Sequence, residues 1–411
     1  MEQYDVVIIG GGIAGPALAA QLAPAGLAVL LLERQVAFQD RVRGEYMQPW
    51  GAAELQRLGL EDPVLDAGGG YNTTMVGYDE DVEPSDAEAA GIPLSMLLPD
   101  VGGGIAVGHP QACEALLSAA SERGVTVRRG VADLTVAVSA GGTPTVEYKV
   151  DGVESSVRSR IVVGADGRHS TVRRALGIEQ EQVTSGRVLG GLLVRSEEWP
   201  ADRAAIGTEG DVHYLIFPRP EGNVRLYIAC ETGARTSGAD RGDELQRAFR
   251  LESLPGSESL AGGEQAGPCA YVAGSDAWTT DGPVADGAVL VGDAAGWSDP
   301  IVGQGLSVAL RDARSVADIM LAGDDWSSAA FEPYVGERAE RMRRLRIGGH
   351  LQTEIRATFT PEGRARRAAF RDELATEPMT IAPVLALLTG PETAPAEAFD
   401  DANVERILTL S

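Results

Sequence analysis

The stretch from Val6 to Glu33 constrains this chain more than any other. Val6-Val7-Ile8-Ile9 reads as a buried strand and Gly10-Gly11-Gly12-Ile13-Ala14-Gly15 as a glycine turn. Pro16-Ala17-Leu18-Ala19-Ala20 reads as a small-residue helix ending near Gly26, and Leu27 to Leu32 as a second strand that delivers Glu33. Strand, helix and strand in this order predict a parallel βαβ unit. Gly10 permits the tight turn, Gly12 lets the backbone approach a pyrophosphate, and Gly15 lets the helix pack close to the sheet. The helix N-terminus, with Ile13 and Ala14, offers unpaired N–H groups to phosphate oxygens. Glu33, followed by Arg34, stands at the interval where a carboxylate accepts hydrogen bonds from ribose hydroxyls. On these residues alone the ligand is a dinucleotide, either NAD or FAD.

With 411 residues the chain has room for two or three domains and a sizeable core. A net charge of −25 argues against nucleic-acid and anionic-membrane partners, which require clustered Lys and Arg, and points to small molecules. Lys149 is the single lysine. Cys113, Cys230 and Cys269 are odd in number and widely spaced, which suits thiols in a reducing cytoplasm better than a disulfide framework or a zinc site. His109, His169, His213 and His350 lack ligand spacing, so no metal is expected. The first strand begins too early for a signal peptide, and the apolar run Ile381 to Leu388 is too short to cross a bilayer. A monomer or homodimer is expected.

Further along, a helical pattern ends at Leu58-Gly59-Leu60, and short β-like runs follow at Thr73–Val76 and Leu94–Leu98. The acidic stretch Asp79–Asp86 between them reads as a solvated loop. His109-Pro110 opens a helix through Glu122. Val125–Arg128, Leu134–Val138 and Val146–Val150 read as strands, and an Asp151-Gly152 turn leads into Val153–Val163. A second β-rich block from Val188 to Ala229 contains the hairpin His213–Phe217, Glu221-Gly222, Val224–Ile228. Ala288–Val291 forms one more buried strand, Gly305–Leu321 and Phe331–Leu345 read as helices, and an Arg-rich tail reaches Ser411. The predicted class is α/β: a Rossmann-like nucleotide-binding domain (1–69, 105–180, 283–350) with an inserted β-meander, a β-sheet substrate domain (70–104, 181–282), and a helical C-terminal region (351–411).

Two later stretches fall where sheet strands end, the place where open α/β sheets bind ligands. One is Val163-Gly164-Ala165-Asp166-Gly167-Arg168; the other runs Val291-Gly292-Asp293-Ala294-Ala295-Gly296-Trp297-Ser298-Asp299-Pro300-Ile301-Val302-Gly303-Gln304-Gly305-Leu306. In the second, a strand delivers Asp293 toward the hydroxyls of a ribityl chain, and the helix start after Pro300 aims N–H groups and a positive dipole end at an electron-rich ring. Together with Gly10–Gly15 and Glu33, these stretches resemble the fingerprints of single-component FAD-dependent monooxygenases of the aromatic-hydroxylase type, over roughly residues 1 to 345. The resemblance implies that Gly10, Gly12, Gly15 and Glu33 hold the ADP half of a resident FAD. It places Arg43 and His109 beside FAD, gives Asp166 contact with FAD and a visiting NAD(P)H, and assigns Asp293 to the ribityl chain. It assigns Pro300, Gly303, Gly305 and Leu306 to the ring. His109 stands where that family usually has Arg.

The implied reaction is reduction of FAD by NAD(P)H, capture of O₂ as a flavin C4a-hydroperoxide, and transfer of one oxygen atom to an aromatic or polyketide-like molecule, as hydroxylation or epoxidation. A prenyl-reductase reading is suggested by Gly296, although His213–Pro218 keeps only the final pair of that group's Tyr-x-Trp-x-Phe-Pro pattern. A flavin-binding partner without its own turnover is a third reading. Flavin halogenases share the fold but need an early lysine that this chain lacks. In the pocket, His213, Leu215 and Phe217 share one strand face, with His213 a candidate base toward a phenol. Trp297 and Asp299 flank the flavin turn and are candidates for substrate contact. Tyr46, Met47 and Trp50 are either cavity lining or core.

Overall fold

The architecture is described from a computed structural model, for residues 1–42, 44–138, 142–233, 240–374 and 376–411. The strand Glu2–Ile9 lies at the centre of the first sheet, paired in parallel with Val29–Glu33 on one side and Val153–Gly164 on the other. Thr126–Arg129 and Ala288–Leu290 extend the parallel core outward. Alternation along the central strand divides the packing. Val6 and Ile8 face the helices Ala14–Leu22, His109–Glu122 and Gly305–Ala322, whereas Val7 and Ile9 face the antiparallel meander Ala132–Ala137 and Thr145–Val150. The expected βαβ unit and meander are both present.

The second sheet is mainly antiparallel and has nine strands. Its backbone is Ala270–Thr279, Gln180–Arg195, Asn223–Glu231, Val212–Arg219, Arg203–Glu209 and Thr74–Asp79, in that spatial order. The Glu221-Gly222 turn has φ of 64° and 69°, the left-handed pair that matches the twist of a two-residue hairpin. Tyr214 and Ile216 pack outward under the helices Arg241–Arg247 and Ser257–Ala261. Leu215 and Phe217 point the other way, toward the first domain. A small three-stranded sheet of Tyr46–Met47, Gly104–Ala106 and Gly70–Asn72 bridges the two.

Three expectations are corrected. Leu94–Leu98 contributes a single 3-10 turn, Leu94–Met96, behind Pro93, with Leu94 buried as a plug. The acidic stretch is not simply solvated: Asp79 ends a strand and is buried, and Pro84–Ala89 is a helix. The last long helix runs from Glu332 to Arg356, eleven residues past the apolar pattern. Gly348 and Gly349 lie in that extension; a Cβ at Gly349 would come within 2.7 Å of Val302 Cγ2, so poor helix formers are kept for a close crossing. Beyond it the tail folds as the helices Pro361–Glu373, Pro378–Thr389 and Asp401–Leu408. Among the described residues, no helix is long and apolar enough to cross a membrane.

Candidate functional site

The first glycine turn is fixed by steric contact. Gly10 has φ of 113°, and a Cβ there would stand 2.2 Å from Ala165 O. A Cβ at Gly15 would stand 2.0 Å from Gly10 O, so the helix can approach the turn only without a side chain. Gly12 differs, because a Cβ there meets nothing within 4 Å. Ile13 at the N-cap provides no side-chain acceptor, leaving the first N–H groups of Ala14–Leu22 uncapped toward that open space. Glu33 accepts from Gly11 N at 2.6 Å and from Gln35 N at 2.7 Å. Its oxygens retain lone pairs for a ribose. Arg34 is exposed just past the strand. Open backbone, uncapped N–H groups and a tethered carboxylate fit a dinucleotide.

The other two stretches converge on the same edge of the sheet. Asp166 Oδ2 accepts from Thr171 N at 2.6 Å, while its Oδ1 is buried without a partner. Arg173 donates to Ala294 O and Arg168 O, tying the two stretches together. Asp293, half-buried, receives Arg168 Nε at 3.3 Å, and the same guanidinium lies 5.2 Å from the Trp297 ring. The turn beneath is held from behind. Asp312 accepts from Gly292 N at 2.8 Å and pairs with Arg338 at 2.9 Å and Arg341 at 2.6 Å. Arg338 also donates to the carbonyls of Gly292, Ala295 and Gly296. Burial pushes the Asp312 carboxyl up, but the two arginines outweigh it and hold the group below the usual carboxylate range.

Past Trp297, Asp299 caps the short turn Pro300–Val302 through Oδ1 and Ile301 N at 2.9 Å; its Oδ2 is buried without a partner. Gly303 takes a left-handed φ of 67°, and the helix Gly305–Ala322 starts with no side-chain cap. Gly305 is exposed with open space around it, and Leu306 packs near Gly44. Gln304 is a strut: it accepts from Trp50 Nε1 and donates to Val302 O and Leu387 O. Trp50 and Met47 are core residues, whereas Tyr46 faces the second sheet.

Between the domains runs an apolar seam. Val42, Tyr46, Ala106 and Ile301 from the first domain meet Leu189, Leu215, Phe217 and Tyr227 from the second. Tyr46 stacks on Phe217 at 4.1 Å, and Tyr227 meets Phe217 edge-on. Glu45, next to Tyr46, forms a bidentate buried pair with Arg225 at 2.8 and 2.9 Å, joined by Arg219 at 3.1 Å. His213 lies on the same face but is fully buried, its Nδ1–H donating to Gly207 O at 2.8 Å. Burial, then the charge of Arg356, push its pKa down to about 3. His213, expected as a base, is a neutral imidazole here, its Nε2 buried without a hydrogen-bond partner.

Trp297 is tied through Nε1 to Ser275 Oγ at 3.1 Å. His109 opens its helix with Nε2 3.5 Å from Cys113 Sγ. Arg43 lies outside the described residues. Lys149 pairs with Asp133 and Glu154 on the meander, away from the seam. Sequence reasoning missed Asp312 as the anchor of the Asp293 turn, and missed the Glu45–Arg225 pair. Their partners are 20 to 180 residues apart, and the available signal was an Asp inside an otherwise apolar helix face and an Arg inside a strand core.

Comparison with known proteins agrees with this geometry. The family model for the FAD binding domain matches residues 3–345. Squalene monooxygenase SE1 of Panax ginseng is 27% identical over 329 residues, 77% of this chain, and this chain spans 58% of that protein's length. Menaquinone reductase of Mycolicibacterium smegmatis is 27% identical over 341 residues, covering 79% of this chain and 78% of its own. Among solved structures, the p-nitrophenol 4-monooxygenase PnpA of Pseudomonas putida shares the fold, with a TM-score of 0.80 at 20% identity over 95% of this chain and 99% of that one. The match spans both the glycine turns and the second sheet, and this chain belongs to the FAD-binding-domain family.

Proposed function

We propose that the chain is an FAD-dependent monooxygenase that uses NAD(P)H and O₂ to hydroxylate or epoxidise a largely apolar small molecule, aromatic or polyene, held in the seam. The observation that supports this reading is that Ile301, in the turn that leads to Gly303 to Leu306, packs in one cluster with the wall of Tyr46, Phe217 and Tyr227. The bound FAD supplies the redox chemistry and the activation of oxygen. The protein's part is to bind, orient and exclude water. Backbone N–H groups from Gly12 to Gly15 receive the pyrophosphate, Glu33 the adenosine ribose, and Asp293 the ribityl hydroxyls, exchanging its contact with Arg168. N–H groups of Gly305 and Leu306, at the positive end of their helix, stabilise negative charge on the ring edge. Arg43, His109 and Asp166 flank the cofactor, and Pro300 shapes the turn. Trp297 and Asp299 stand beside the substrate.

Both relatives named above carry polyisoprenoid compounds in their names, squalene and menaquinone, which supports an apolar substrate. One observation favours a second reading, flavin-dependent reduction: the menaquinone reductase is matched over more of its length than the squalene monooxygenase. Oxygen dependence separates the two. The purified protein is expected to be yellow, to oxidise NAD(P)H faster when its substrate is present, and to yield a product heavier by one oxygen atom derived from labelled O₂. Product formation under strict anaerobiosis would instead establish the reductase, and a colourless protein indifferent to FAD would remove both.

A further inference from the structure

The inner face of the second sheet carries a row of register partners across four strands. Gly77 pairs with Ile206, Ile206 with Leu215, and Leu215 with Tyr227. Three strand spacings put Tyr227 roughly 14 Å from Gly77. Tyr227 and Leu215 are sealed in the seam, Ile206 is half-buried, and Gly77 is exposed even though Val76 and Tyr78 beside it are buried. The seam is therefore open at Gly77. A Cβ at Gly77 would have Arg356 Nη2 as its near neighbour, at 3.6 Å, so a guanidinium occupies the space above the glycine.

Arg356 closes the helix Glu332–Arg356, eleven residues beyond the end of the family match, and is held there by the helical tail. Thr208 Oγ1 donates to Arg356 O at 2.7 Å, and Arg187 reaches Glu354 and Ala357 O. Arg367 pairs with Asp79 and Glu80, Arg371 with Asp79, and Arg364 with Glu80. Asp81 is next to them. Arg364, Arg367 and Arg371 thus share Asp79 and Glu80, whereas Arg356 feels the Asp79 charge but makes no ion pair among the described residues. In a chain of net charge −25, this is a local cation at the opening of an apolar seam. Half-burial strengthens its attraction for an anion relative to open water, and a planar guanidinium suits a two-oxygen acceptor.

We propose that Arg356 anchors an anionic oxygen of the substrate, a carboxylate or an ionised enol or phenol, so that the apolar remainder lies along Ile206, Leu215 and Tyr227 toward the flavin edge. The inference rests on the seam being the substrate site, and it makes the substrate an amphiphile rather than a bare hydrocarbon.

The test is calorimetric titration of the flavin-loaded, full-length protein with 6-phenylhexanoate and with 6-phenylhexan-1-ol, flavin content being read from absorbance on the same sample. The native protein is expected to bind the carboxylate about tenfold or more tightly than the alcohol. Arg356→Met should abolish that preference, and Arg356→Lys should keep part of it. Gly77→Asp, which leaves Arg356 in place but gives it an internal carboxylate, should abolish the preference too and serves if Arg356→Met does not fold. Equal binding of the two probes by native protein, or a preference that survives in Arg356→Met or Gly77→Asp, would overturn the proposal. Absence of bound flavin would instead remove the proposed function, since probe preference is measured independently of turnover.

Discussion

The glycine turns Gly10–Gly15 and Gly292–Gly296 each follow a parallel strand of the first sheet and are held by different means. The turn at Gly10–Gly15 is mainly a steric construction: backbone meets backbone at Ala165 O and Gly10 O, and the one charged side chain that touches it, Glu33, holds only the Gly11 N–H. The turn at Gly292–Gly296 is an electrostatic one, its carbonyls gripped by Arg338 and its first N–H by Asp312. A pyrophosphate needs the backbone itself at close range, which favours bare glycine. On the proposed reading a ribityl chain needs one carboxylate, Asp293, aimed correctly, which favours a turn whose orientation is fixed from behind.

The largest effect is expected where the charges are. Asp312→Ala removes the only carboxylate that Arg338 contacts among the described residues and leaves that buried guanidinium uncompensated, while Arg341 keeps Glu337, a loss of about 3–5 kcal/mol. Urea denaturation would measure it, with flavin lost before global unfolding as the Asp293 turn loosens. A loss below about 1 kcal/mol would mean that the turn does not depend on this charge cluster. The same group sets a pH signature. Its folded pKa is depressed, so its contribution is fully present above the unfolded value of about 3.9 and is lost as pH falls through the lower folded value. Denaturation midpoints should therefore fall below about pH 4 in the native protein, and this limb should flatten in Asp312→Asn.

This contrast also marks what could be read from sequence. Gly15 and Glu33 act on neighbours within a single βαβ unit, and the turn spacing marks Gly10 as well, although its close contact, Ala165, lies outside that unit. The strand alternation that turns Leu215 and Phe217 inward was legible for the same reason. Asp312 acts through Arg338 and Arg341 on another helix, and Asp79 through Arg367 nearly three hundred residues away; no local pattern announces such pairs. The cluster from Arg338 to Arg346 was legible only as pairing with some carboxylate. His213 sat on the correct face, but its burial depends on Arg356 and the helix end above Thr208, which arrive from the tail.

Gly10→Ala is the next largest. The added methyl collides with Ala165 O, and alanine must also adopt φ of 113°, together about 2–4 kcal/mol. Thermal denaturation would register the loss with or without flavin. A variant as stable as the native apoprotein would show that the first turn yields easily and that its steric reading is wrong.

The smallest stability effect, and the sharpest division between turn-building and ligand-binding glycines, belongs to Gly12→Ala. Nothing lies within 4 Å of its added Cβ, and Gly12 has no positive φ to restrict alanine. The apoprotein should therefore keep its stability to within about 0.5 kcal/mol. The methyl would nevertheless occupy the space in front of the uncapped N–H groups of Ala14–Leu22, where a pyrophosphate makes its closest approach. Flavin affinity should fall by about tenfold or more while apoprotein Tm stays unchanged, a combination that Gly10→Ala cannot give because it damages both. Equal loss of Tm in the two variants would make Gly12 part of the steric construction, and unchanged flavin affinity would move the pyrophosphate away from it.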